Sequence, residues 1–159
     1  MKPRLVKTEN ILMIGMRAQM SLQNINEETG KLARQFMPRR HNIKNRIGDH
    51  TFSLQNYNHF DFKSFNPSIS FEKWVGVEVS NDSFIPERME LLTIPSGDYL
   101  VFNYKGSAQG FPQFWQQLHG QWLPNSKYQL DNRPHFEKLP EGYNPMDSES
   151  EEEVWVPVK

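Results

Sequence analysis

At 159 residues, with 36% apolar and 13% aromatic residues, the chain can bury a core as one domain without metals or crosslinks. The absence of cysteine excludes a disulfide framework, thiolate chemistry and cysteine-based zinc sites. The net charge of −1 hides an asymmetry: residues 1–50 hold ten Lys/Arg against four Asp/Glu, and the rest holds eight against fifteen.

The basic part centres on Arg39-Arg40-His41 with Lys44 and Arg46. It lacks the interleaved aromatics of a single-strand binder and reads as a solvated helix end, so no direct DNA binding is expected. No apolar run reaches the ~18 residues of a membrane span, and no signal-peptide pattern follows Met1-Lys2-Pro3-Arg4. The expectation is a cytoplasmic protein with no membrane partner.

In chain order, Leu5-Val6 and the apolar run Ile11-Leu12-Met13-Ile14-Gly15-Met16 predict a strand buried on both faces, Gly15 marking a bulge or a close backbone approach. Asn26, ahead of Glu27 and Glu28, predicts a helix start, and Leu32 with Phe36 gives that helix an apolar stripe that Pro38 ends. Alternation over Thr51–Tyr57 predicts a strand, followed by a loop over 58–71 and a second strand carrying Trp74. Leu91–Ile94, a Pro95-Ser96-Gly97-Asp98 turn and Tyr99–Lys105 follow the connection 80–90. Pro112 opens a second helix whose Phe111, Phe114, Trp115, Leu118 and Trp122 fall at helical spacing, with Trp115 and Trp122 read as core. Tyr128–Asn132 is the next expected strand, 138–152 a Pro/Gly/acidic loop, and Glu153–Val158 the closing strand.

The closing strand repeats an earlier one: Lys73-Trp74-Val75-Gly76-Val77 matches Val154-Trp155-Val156-Pro157-Val158, each with a Glu two residues before its Trp. Gln35-Phe36-Met37-Pro38 likewise matches Gln121-Trp122-Leu123-Pro124, and Phe52–Asn56 matches Tyr128–Asn132. The matches run in the same order and predict an α+β fold of two duplicated β-α-β-β units, with repeat halves at about 1–80 and 90–159. An antiparallel or mixed sheet would carry helices on one face and a central groove.

These residues resemble the gyrase-inhibitor-like (GyrI-like), or AraC-type, effector-binding domain, related to the SOUL fold. The resemblance rests on Ile94-Pro95-Ser96-Gly97-Asp98-Tyr99-Leu100-Val101-Phe102 before Gly106, the Trp-rich helix and the closing Glu153-x-x-Val156-Pro157-Val158. It implies a groove for bulky hydrophobic or cationic small molecules, with Glu153 as the acidic residue and Trp155 beside it. By pseudo-symmetry it adds Glu72 and Trp74, and Tyr99 matches a recurrent family aromatic. The plainer reading makes Glu153 the exposed end of an acidic run and Trp155 core. An acidic groove lined by aromatics suits a delocalised cation, which is cheap to desolvate.

Regulators of this family carry a helix-turn-helix segment for which this chain has no room, so a stand-alone domain for sensing or sequestration is expected. Two alternatives stay open. One is a hydrolase of reactive cyclopropane-bearing compounds that uses groove carboxylates; no catalytic residue is identifiable, and non-enzymatic binding is favoured. The other is a gyrase-inhibitor-like interaction module, its protein partner unknown, using the acidic 147–153 loop. Histidines 41, 50, 59, 119 and 135 show no metal-ligand spacing and no haem axial ligand stands out, so no metal and no cofactor are expected. The 58–71 and 138–152 loops could lid the groove.

Overall fold

A strand whose two sets of side chains are both apolar needs cover on both sides of its sheet. In the computed structural model, which describes residues 1–57 and 66–159, that cover comes from two different sources. The strands are β1 (Arg4–Thr8), β2 (Ile11–Ser21), β3 (Thr51–Asn56), β4 (Ser70–Val79), β5 (Glu90–Ile94), β6 (Gly97–Lys105), β7 (His135–Leu139) and β8 (Glu151–Val158). Helix α1 spans Ile25–Phe36 between β2 and β3, and α2 spans Phe111–Gln117 between β6 and β7. All strands join one antiparallel sheet in the order β1-β6-β8-β7-β3-β4-β2-β5. Among the described residues no helix is long and apolar enough to cross a membrane.

The pairing register displays an internal twofold. At the centre, β3 and β7 place Leu54 opposite Phe136. Outside them, β4 sets Trp74 opposite Leu54, and β8 sets Trp155 opposite Phe136. Trp74 and Trp155 are thus equivalent, as are Glu72 and Glu153, Gly76 and Pro157, and Lys73 and Val154. The unit β2-α1-β3-β4 recurs as β6-α2-β7-β8. Each unit's leading strand pairs with the other unit: β1 with β6, and β5 with β2.

On one side of the sheet, Leu32 and Phe36 of α1 pack on Ile14, Met16, Val75 and Val77. Leu118, at the end of α2, packs with Phe114 and Trp122 on Phe102, Val154 and Val156. Among the described residues the other side carries no helix, yet Met13, Leu54, Ile94 and Tyr99 there are fully buried. Burial without a covering layer means that the sheet curls over its own face. The two outer connections accordingly meet, the Ser96 amide donating to Asn10 Oδ1 at 2.8 Å.

Gly15 is the close approach that its place in an apolar strand implies. It pairs with Gly76, and a Cβ on Gly15 would lie 2.2 Å from the Val75 carbonyl oxygen. Two local expectations are corrected. The α1 N-cap is Asn24, two residues ahead of Asn26, and its Oδ1 accepts from the Ser21 amide at 2.9 Å. Tyr128–Asn132 is no strand: Tyr128 packs with the α2 cluster, and Leu130 makes a single bridge to Val158. The strand falls at His135–Leu139 instead, in a stretch to which no element was assigned up to residue 137 and whose last two residues belonged to the expected 138–152 loop. Within the expected 58–71 loop, residues 58–65 lie outside the described residues.

Candidate functional site

The sequence-predicted residues Glu72, Trp74, Tyr99, Glu153 and Trp155 share the helix-free face. Each Glu does stand beside its Trp: the Trp74 indole donates to Glu72, and the Trp155 indole donates to Glu153 at 3.4 Å. Both carboxylates also have fixed cations. Arg4 pairs with Glu153, and Arg17 bridges Glu72 at 2.9 Å and Glu90 at 2.7 Å. Partial burial works against ionisation of Glu153, but the Arg4 guanidinium outweighs it and holds the carboxyl below its usual range. Glu153 therefore already has a fixed cation in Arg4.

The aromatic partners on this face are enclosed. Trp155 stacks on Phe136 at 5.1 Å between centroids, and Tyr99 meets both rings edge-on. The Tyr99 hydroxyl donates to the Pro134 carbonyl at 2.8 Å, and the Arg133 guanidinium lies 4.7 Å from its ring. These contacts use the aromatic faces that a ligand would need.

The opposite face holds a different constellation. The α1 and α2 clusters cover its two flanks, leaving the central strands β3 and β7 between them. Alternation aims Gln55 of β3, Lys73 of β4, His135 and Glu137 of β7 and Glu152 of β8 into this space, and all are buried. Register makes them neighbours: Gln55 sits opposite both Lys73 and His135, while Ser53 sits opposite Glu137. The Gln55 amide donates to Glu137 Oε1 at 3.4 Å. Glu152 stands one alternation step from Val154, the residue opposite Glu137.

Aromatic groups bound the cluster. Trp115 of α2 lies 4.6 Å from the His119 ring, His119 lies 5.6 Å from His135, and His135 lies 5.0 Å from Tyr57. The Trp115 indole hydrogen-bonds the Tyr57 hydroxyl, closing a rib from α2 to β3. Tyr143, from the connection before β8, hydrogen-bonds Glu152. His119 sits in a wide π-type turn, Leu118–Trp122, which continues α2.

Burial sets the protonation here. It pushes Glu152 up to about 8, a shift reinforced by the Glu137 carboxylate and only partly offset by Tyr143 and Lys73. Glu137 is raised by burial against the pull of Lys73, and burial lowers Lys73 against the pull of both carboxylates. His119 is lowered by burial to about 3, and His135 is lowered by burial and by its cationic neighbours, so both rings are neutral near pH 7. Two open surface depressions, of about 490 and 440 Å³, lie on the outer side of α2 and contain none of these groups. Concavity and buried charge therefore point to different places. The buried groups able to orient a ligand lie on the helix side of the central strands, away from both depressions.

Gln55, Lys73, Glu137 and Glu152, the buried polar cluster of the helix side, are not among the residues that the sequence reading singled out. A signal existed for two of them: Lys73 falls in phase with Phe71 and Val75, and Glu152 with Val154 and Val156, charges where the alternation demands apolar residues.

A duplicated α+β domain with a buried polar floor between two helices has the architecture of an effector-binding protein. The model of the integron-associated effector-binding protein family, Cass2, matches residues 4–158, and the chain belongs to that family. It is 25% identical over 130 residues to the transcriptional regulator BrlR of Pseudomonas aeruginosa, covering 81% of this chain and 46% of that protein. The chain thus spans about half the length of the curated relative it matches. In fold it is similar to SAV2435, solved bound to tetraphenylphosphonium, with a TM-score of 0.75, 15% identity and coverage of 100% of this chain and 94% of that one. It also resembles the Vibrio cholerae integron cassette protein VCH_CASS2, with a TM-score of 0.68, 12% identity and coverage of 99% and 95%.

Proposed function

We propose that this protein captures a bulky, lipophilic, aromatic cation between α1 and α2, as a sensing or sequestering module. One observation carries the reading: two buried carboxylates, Glu137 and Glu152, form the floor of the inter-helix space against a rib of aromatic rings. Buried carboxylates cost stability, and a delocalised cation is the partner that compensates them with little desolvation cost of its own. Ring faces add cation–π attraction of about 0.5–2 kcal/mol each. Family membership supports small-molecule binding in general, and the tetraphenylphosphonium held by SAV2435 suggests a probe.

The test is a titration with tetraphenylphosphonium followed by tryptophan fluorescence, since Trp115 borders the site. Glu152→Gln should weaken binding at least tenfold, about 1.4 kcal/mol, whereas Glu153→Gln should leave it unchanged. The reverse pattern would move the site to the helix-free face and restore Glu153, Trp155, Glu72, Trp74 and Tyr99 as its lining. A wild type that shows no saturable binding would end the cation reading.

A further inference from the structure

The two surface depressions on the outer side of α2 meet at Gln117, which lines both. Together they form a groove lined by five carboxamides: Asn103 of β6, Gln113 and Gln117 of α2, and Gln121 and Asn125 beyond it. Gln113, Gln117 and Gln121 recur every four residues along α2 and its π-type turn, so the backbone sets them in a row about 6 Å apart. Asn125 extends the row, its amide donating to the Gln121 carbonyl at 2.7 Å. All five side chains are exposed, and among the described residues the amides of Asn103, Gln113, Gln117 and Gln121 bond no protein partner.

This lining is neutral by composition. Residues 106–126 contain no Lys, Arg, Asp or Glu, in a chain of which 23% is charged. Among the described residues of the groove, the charged side chain is Lys105, and its ammonium pairs with Glu149 at 2.9 Å. The internal twofold supplies a control. Helix α1, the equivalent of α2, solvates its outer face with Glu27, Glu28 and Lys31, the lysine lying 3.6 and 3.1 Å from the two carboxylates. Charges serve solubility at least as well as amides do, so solubility does not account for the difference.

Recognition chemistry does account for it. A carboxamide presents a donor and an acceptor side by side, a pattern that two neighbouring hydroxyls complete. It has no charge to attract ions, and it costs less to desolvate than a charged group. The half-buried rings of Phe114 and Trp122, one in each depression, add apolar surface on which the C–H face of a sugar can lie. We infer that the outer groove of α2 binds a neutral, hydroxyl-rich chain, a short oligosaccharide, laid along the carboxamide row with about one ring for each helical turn. This site is separate from the inter-helix space and does not depend on the capture reading.

The experiment follows the side-chain amide signals of the nitrogen-15-labelled protein by NMR during titration with maltotetraose, cellotetraose and chitotetraose. With at least one of these sugars, the signals of Gln113, Gln117 and Gln121 should move together and saturate at concentrations up to about 10 mM. Gln117→Ala and Gln121→Ala, both at exposed positions that the core does not use, should each weaken that binding at least about fivefold. Gln117→Glu, which keeps the shape but replaces the donor with a charge, should weaken it as well. Tetraphenylphosphonium titrations of the same variants should match the wild type. No saturable movement with any of the sugars would overturn the inference, as would an affinity that none of the three variants changes. A neutral Gly-Ser hexapeptide that moves these signals where no sugar does would reassign the groove to extended peptides and overturn the oligosaccharide.

Discussion

Glu152 and Glu153 are adjacent in sequence and stand on opposite faces of β8, and the two faces follow different rules. On the helix-free face, apolar and aromatic side chains fill the space, and the carboxylates Glu72 and Glu153 each have an arginine partner. On the helix side, Lys73, Glu137 and Glu152 are buried as a group whose charges do not cancel. The first arrangement is what stability alone would select. The second costs stability, because apolar residues of similar volume would serve the core as well or better. In the proposed reading one sheet divides its labour: the helix-free surface serves the fold alone, and the helix side combines core packing with a place for a ligand.

The largest expected effect tests the stabilising face. Trp155→Ala should cost about 3–5 kcal/mol in chemical denaturation, through the lost stack on Phe136 and the cavity left behind. A cost below about 1 kcal/mol would mean that this face is not the core.

The pH dependence of the ligand-facing surface comes next. With Glu152 raised to about 8 from an ordinary value of 4.5, the folded state holds a proton that the unfolded chain has already lost. Its contribution is fully present below pH 4.5 and disappears as pH rises through 8. Only toward pH 8 are the two histidines neutral in both states; toward 6.5 and below, the unfolded chain's imidazoles take up protons that the folded ones do not, costing stability alike in wild type and variant. Thermal melts of wild type and Glu152→Gln should therefore diverge across pH 6.5–8, the wild type losing stability relative to the variant. Tetraphenylphosphonium affinity should strengthen over the same window, with proton release detectable by calorimetry in buffers of different ionisation enthalpy. Parallel melts would remove Glu152 as the titrating group.

The smallest effect is that of Arg4→Ala. Its pair with Glu153 is largely open to solvent, so its loss should change stability by no more than about 1 kcal/mol and leave ligand binding intact. A larger loss, or a change in affinity, would blur the division between the faces.

Much of the fold was legible. The repeat around Trp74 and Trp155 identified equivalent strands, and the pairing register places these residues at twofold-related positions. β7 escaped notice because His135, Glu137 and Lys138 leave it without an apolar pattern, while His135 and Glu137 are buried in a polar cluster that local sequence does not reveal. The sequence reading and the proposed site differ by a single residue step on β8 for a related reason. A period of two separates Glu152 from Glu153 but does not say which set faces the helices, and here both faces of β8 carry apolar residues. Tertiary cover decides, and it is set by α1 and α2, distant in sequence. Lys73 and Glu152 are the positions that break the apolar alternation on that face.

The crossed pairing of the leading strands also governs how the molecule can be made. A ribosome that has released only the first ninety residues presents a half-built sheet: β1 has no β6 to join, β2 lacks β5 along its outer edge, and β3 lacks β7. Such edges are templates for wrong partners, and pairings so distant along the chain form slowly. The first repeat does not mature while the second is being synthesised. Neither repeat has its full set of strand partners until the other is present, so the two halves complete each other's edges.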